Sequence, residues 1–185
     1  MDYSELLKMA IGEKSNAIPV PGERLNELAR RFSEDFVALW RADGWCSYGN
    51  GLFWTVDPDE VTPLIADWSN LPDGSRVFAR DAFANLFLLV GDEVQRLDVH
   101  RDVLDLVSLT TEFFFDMKIF NPQFVTDFLE GKHFRAARRR LGDLALGECY
   151  AFVPALALGG SGDASSLKKV RFLEHLAILA QIHEK

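Results

Sequence analysis

Between Gly44 and Pro58 the chain reads GWCSYGNGLFWTVDP, and this stretch limits the possible folds more than any other. Asn-Gly is the strongest short signal for a tight turn with positive φ. Asn50-Gly51 is therefore expected to reverse the chain between strands over Cys46–Tyr48 and Leu52–Val56. Gly44 supplies the C-terminal stop of a preceding helix. Asp57-Pro58-Asp59-Glu60 reads as a helix start, with Asp57 as N-cap, Pro58 at the first position and Glu60 closing a capping box. A helix end, a hairpin and a helix start in one short span point to a fold that mixes helices with antiparallel strands.

The flanking periodicities agree. Asp2–Ile11 is a short amphipathic helix, and Glu23–Ala42 places Leu25, Leu28, Phe32, Phe36, Leu39 and Trp40 on one helical stripe. The helix opened by Asp57 runs to about Trp68. Arg76–Arg80, Asn85–Val90, Glu93–Asp98 and Asp102–Leu106 form a meander of short strands, turning at Gly91-Asp92 and His100-Arg101. Three short helices are expected over Thr111–Ile119, Pro122–Leu129 and His133–Leu141. A buried strand over Cys149–Val153, a loop at Gly159–Gly162, a strand over Lys169–Phe172 and a helix over Glu174–Glu184 complete the chain. The fold class is α+β: an antiparallel β-meander flanked by helices, with a smaller mixed helical C-terminal half packed against it. The halves divide as 1–108 and 109–185 and form one compact unit.

Composition excludes several functions. Fifteen Phe, four Trp and three Tyr in 185 residues make an aromatic core. No apolar run is long enough to span a bilayer, because Asn85 interrupts Phe83–Val90. The N-terminal MDYSELLKMAIGEK carries acidic residues where a secretory signal is basic. Cys46 and Cys149 suit reduced, buried thiols, so the cytoplasm is the expected compartment. Residues 1–110 carry a net charge of −9 and residues 111–185 a net of +1, which together give the overall −8. An acidic first half repels nucleic acid and favours a basic partner, although acidity also simply confers solubility.

No reaction chemistry emerges. The loop GGSGDASSLKK from Gly159 lacks the spacing of a phosphate loop, and Asp163 would repel the anion. His175 and His183 lie eight residues apart, too far for one ion, and His100 and His133 have no ligand partner at useful spacing. The carboxylate pairs Glu34-Asp35, Asp59-Glu60 and Asp92-Glu93 sit on a helix surface, a cap and a turn, where carboxylates are ordinarily solvated. The basic run Lys132–Arg140 places Arg135, Arg138 and Arg139 on one helical face, with Phe134, Ala137 and Leu141 on the buried one. Docking of that helix on the acidic first half is preferred over nucleic-acid contact. Trp45, Tyr48, Phe53, Trp54 and Trp68 are core by default. Strand alternation turns either Phe53 or Trp54 outward unless both faces are covered, and a half-exposed aromatic beside Asp57, Asp59 and Glu60 would make a binding patch.

Several segments carry a resemblance. Trp40-x-x-x-Gly44-Trp45, YGNGLFW from Tyr48, DPDE from Asp57, Trp68 and VFARDAF from Val77 resemble the GAD-like domain of bacterial immunity proteins. ECYAFVPALALGG from Glu148, with LKKV from Leu167 and EHLAILAQ from Glu174, is similar to the C-terminal domain that accompanies it in type VI secretion DNase-immunity proteins. A glycine is expected in that family where Ala84 stands. The resemblance implies a non-enzymatic inhibitor that binds a cognate toxin, a basic nuclease, with no cofactor and no metal. It would contact neither nucleic acid nor membrane. The expected contact residues are Tyr48, Trp54, Asp57, Asp59, Glu60, Asp92 and Glu93. The alternative is a small-molecule or peptide sensor that uses the 159–163 glycine loop as a lid. A hydrolase is a third class, disfavoured by the missing catalytic constellation.

Overall fold

The computed structural model describes residues 1–66, 68 and 70–183. In chain order the elements are α1 (Tyr3–Ala10), β1 (Lys14–Ile18), α2 (Gly22–Leu28), α3 (Glu34–Asp43), β2 (Trp45–Tyr48), β3 (Phe53–Thr55), α4 (Pro58–Val61), β4 (Arg76–Asp81), β5 (Leu86–Val90), β6 (Glu93–Asp98) and β7 (Val103–Ser108). There follow α5 (Thr111–Phe113), α6 (Gly131–Leu141), β8 (Glu148–Phe152), β9 (Leu167–Arg171) and α7 (Phe172–His183). Strands β1 to β7 pair in sequence order as one antiparallel meander, and β8 and β9 form a separate antiparallel pair.

The meander is longer than the sequence suggests, because the β2–β3 hairpin joins the same sheet and β1 caps its edge. The missed β1, KSNAI, is exposed throughout and so lacks the apolar alternation that betrays a strand. The helix expected over Glu23–Ala42 is two helices, broken at Ala29–Ser33. Ser33 takes an extended conformation and α3 restarts on Glu34 and Asp35, acidic residues suited to a first turn. The apolar stripe passes through the break unchanged, so periodicity alone does not show it. Asp57 caps α4 by accepting from the Asp59 N–H at 2.9 Å. The helix narrows to a 3₁₀ turn over Thr62–Ile65, where Pro63 has no N–H to continue the ladder. It therefore stops short of Trp68; Asp67 and Glu184, both in expected helices, lie outside the described residues. Two π turns, Phe114–Lys118 and Phe124–Phe128, replace regular α-helix in the expected second-half helices.

Side-chain alternation explains the layers. On β4 and β5, Phe78, Phe87 and Leu89 face one core with Phe36, Trp40, Phe114 and Phe115. Val77, Leu86 and Leu88 face a second with Leu97, Val99 and the α7 residues Leu176 and Leu179. Each such burial contributes about 1.5–3 kcal/mol. Between β4 and β5, Ala84 has φ +71, the left-handed region where glycine is easier to place. The Asp81 carboxylate holds that turn by accepting from the N–H groups of Phe83 at 2.7 Å and Asn85 at 3.0 Å.

Candidate partner-binding surfaces

The β3–β4 register sets Trp54 opposite Arg80. That pairing builds the floor of a cleft of about 400 Å³ lined by Trp45, Val56, Glu60, Leu146, Arg171 and Phe172 among others. The buried Arg80 guanidinium lies between two rings, 4.5 Å from the centroid of Trp54 and 4.4 Å from that of Phe172. Desolvated cation–π contacts of this kind contribute about 2 kcal/mol. Arg80 donates to the Asp81 carbonyl at 3.0 Å and the Glu148 carbonyl at 2.9 Å, which fastens β8 to the sheet. Burial pulls its pKa down to about 10, so it remains a cation at neutral pH.

The expected contact residues scatter. Tyr48 is 0% exposed and donates to the Asp43 carboxylate at 2.6 Å; Trp54 is 2% exposed and donates from Nε1 to the Gly51 carbonyl at 2.8 Å. Neither is a surface aromatic, because both faces of the hairpin are covered: Phe53 packs on Phe87 and Trp54 lies under Arg80. Of the aromatics that line the cleft, Trp45 is half-buried, whereas Trp54 and Phe172 are buried. Asp57 pairs with Arg24, and Asp59 with Arg24 and Arg31, whose hydrogen bond holds Asp59 below the usual carboxylate range. Glu60 is exposed on the cleft rim. Asp92 belongs to a different depression, shared with Tyr3, Asp35, Arg76 and Glu112, and Glu93 accepts from Gln95 at 2.9 Å.

Two further features were missed in the sequence. Buried Arg96 sits 3.7 Å from Asp81, 3.5 Å from Asp98 and 3.5 Å from Glu130, an ion network joining the sheet to the segment before α6. His100 and His175, distant in sequence, have ring centroids 5.6 Å apart. Burial, then the His100 charge, drives the His175 pKa down to about 4. Unfolded His titrates near 6.5, so His175 contributes stability that is complete above that pH and lost as pH falls toward 4. Asp81, pushed up to about 7 by burial, has the opposite slope over the same window. Comparison with His175→Leu isolates the histidine: wild type should lose up to about 3 kcal/mol more than the variant between pH 7 and pH 4. Parallel stability curves in urea titrations would contradict this.

Among the described residues no three His, Cys, Asp or Glu side chains converge at metal-ligand spacing. Burial raises both thiols, Cys149 to about 12, so they stay protonated. The basic helix α6 does not dock on the acidic first half through its arginines. Arg138 pairs with Asp143, Arg140 donates to the Ala164 and Leu167 carbonyls, and Arg135 and Arg139 face solvent. Hydrophobic burial of Phe134 and Ala137 is what seats this helix. The glycine loop is neither lid nor phosphate cradle. The amides of Gly159 and Gly160 are taken by the carbonyls of Leu156 and Ala155, and the loop does not line the cleft. No described helix is long and apolar enough to cross a membrane.

Comparison with known proteins gives two family matches. The GAD-like domain model matches residues 2–101, and that of the T6SS immunity protein Tdi1 C-terminal domain matches residues 109–183. The crystal structure of Atu4351 from Agrobacterium tumefaciens is similar with a TM-score of 0.75, covering 96% of this chain and 88% of that one. At 16% identity this likeness is one of fold. No curated protein sequence matches the chain.

Proposed function

We propose, from the premise that the chain belongs to the GAD-like family and continues into a type VI secretion immunity domain, that it neutralises a DNase effector by stoichiometric binding. The observation that carries this reading is the tandem of the two segments, 2–101 and 109–183, in one chain. A nuclease presents a basic surface to its substrate, and a partner of net charge −8 is suited to cover it. The protein acts in the cytoplasm without turnover or cofactor, and its two units divide at residues 108 and 109. Of the expected contacts, Glu60 and Asp92 have carboxylates at the surface with no ion pair among the described residues, and Glu93 lies beside Asp92. Asp57 and Asp59 act through the general field only, being tied to Arg24 and Arg31.

Co-expression with the product of the neighbouring gene, expected to be the nuclease, tests this. Survival of cells that the nuclease alone kills, with recovery of a complex, is the expected result. Death of the co-expressing cells, with both proteins present, would overturn the proposal.

A further inference from the structure

The helical segment that follows β7 is apolar on two sides. Phe114, Phe115 and Ile119 are buried in the core. Phe113, Met117 and Phe120, spaced i, i+4 and i+7, are 54%, 60% and 38% exposed, and Leu109 just before them is 68% exposed. Here the inner side has its partner in the sheet, while the outer ridge has none among the described residues. Leu106 on β7, the edge strand of the sheet leading into this segment, is exposed as well. Several large apolar side chains exposed along one short stretch of chain point to an interaction site.

The charges around the ridge select the occupant. Glu112 and Asp116 are exposed on the same segment, and Asp92 shares a depression with Glu112, Asp35 and Tyr3. Asp92, Glu112 and Asp116 have no ion pair among the described residues, whereas Asp35 is held by the N-terminal amine. The neighbouring cations are engaged: Arg76 donates to the Arg31 and Gly91 carbonyls, and Lys118 lies over the Phe128 ring. A second copy related by a two-fold axis would bring acidic rim against acidic rim, and an anionic lipid surface would be repelled. A basic protein fits both the ridge and its border.

We propose that the ridge Leu109–Phe113–Met117–Phe120 is the surface on which the basic nuclease docks, with Asp92, Glu112 and Asp116 steering the encounter. This rests on the immunity reading and adds the place of contact. Apolar anchors at the centre would then supply most of the affinity, and the acidic rim mainly the association rate.

The test uses the full chain and the product of the neighbouring gene, expected to be the nuclease. Phe113→Ser combined with Met117→Ser removes the ridge without altering charge, and Leu158→Ser is the control, since Leu158 is an exposed leucine outside it. The double variant should fold with an unchanged melting temperature and bind about a hundredfold more weakly, while the control binds like wild type. Glu112→Gln with Asp116→Asn should slow association and flatten its salt dependence. Wild-type-like binding by the ridge variant would overturn the docking site and leave the immunity reading intact. Failure of the unaltered chain to bind would remove both. A monomer–dimer equilibrium in sedimentation, abolished by the ridge variant, would assign the surface to a second copy and also overturn the proposal.

Discussion

Phe36→Ala should lower the unfolding free energy by about 3–5 kcal/mol, since truncating a buried phenylalanine removes its transfer energy and leaves a cavity. Phe36 is the point where the aromatic core converges. Its ring centroid lies 5.3 Å from Tyr3 in α1, 5.8 Å from Phe32, 5.6 Å from Trp40 in α3, 5.1 Å from Phe78 in β4 and 5.7 Å from Phe115. Three of those pairs are edge-on between separate elements, so relaxation around the void would have to move α1, the sheet and the π turn together. Fully packed sites of this kind collapse poorly. By contrast, exposed Phe113 should cost within about 0.5 kcal/mol when truncated, as surface substitutions do. Urea unfolding at constant m-value would measure both. A loss below about 1 kcal/mol at Phe36 would contradict this account of the core.

Arg96→Ala should cost a similar amount, about 3–5 kcal/mol, for a different reason. The pair partners Asp81 and Asp98 are buried and Glu130 nearly so; removing the guanidinium leaves Asp81 without an ion-pair partner among the described residues, while Asp98 and Glu130 keep Arg101. Burial already pushes Asp81 up to about 7, and losing the cation raises it further. The loss should therefore be larger at pH 8, where Asp81 is ionised beside Arg96 in the wild type and loses that partner in the variant, than at pH 5, where it is protonated in both. Glu130 adds to the effect, because it holds a left-handed conformation at φ +49 that the Arg96 and Arg101 contacts help to fix. A loss under about 1 kcal/mol at both pH values would show that the network is not structural.

What was legible in the chain follows from how local each signal is. The strands from β4 to β7 could be read because short apolar-bearing runs are separated by turn residues such as Gly91-Asp92. Gly44, with φ +73, ends α3 as expected, and a side chain there would also strike the Ile18 carbonyl of β1, a contact no local pattern could reveal. Ala84 does occupy a glycine-like conformation, so the resemblance located a real conformational demand. Tyr48 and Trp54 were misplaced because strand alternation does not say whether one face or both will be covered. Arg80 and Arg96 went unread because Glu148 and Phe172, the partners of the one, and Asp81 and Glu130, partners of the other, are distant in sequence; the Arg80–Glu148 bond spans 68 residues. The outer ridge is hidden in sequence by Phe113-Phe114-Phe115, three identical residues of which only the last two reach the core.

The decisive measurement is a titration of DNA cleavage by the proposed nuclease partner, sought as the product of the neighbouring gene, with increasing amounts of this chain. Binding without turnover predicts that cleavage falls in proportion to added protein and ceases near one equivalent. Undiminished cleavage at excess protein, from a nuclease shown to be active, would contradict the immunity reading; full suppression at a small fraction of an equivalent would contradict its stoichiometric, non-enzymatic basis.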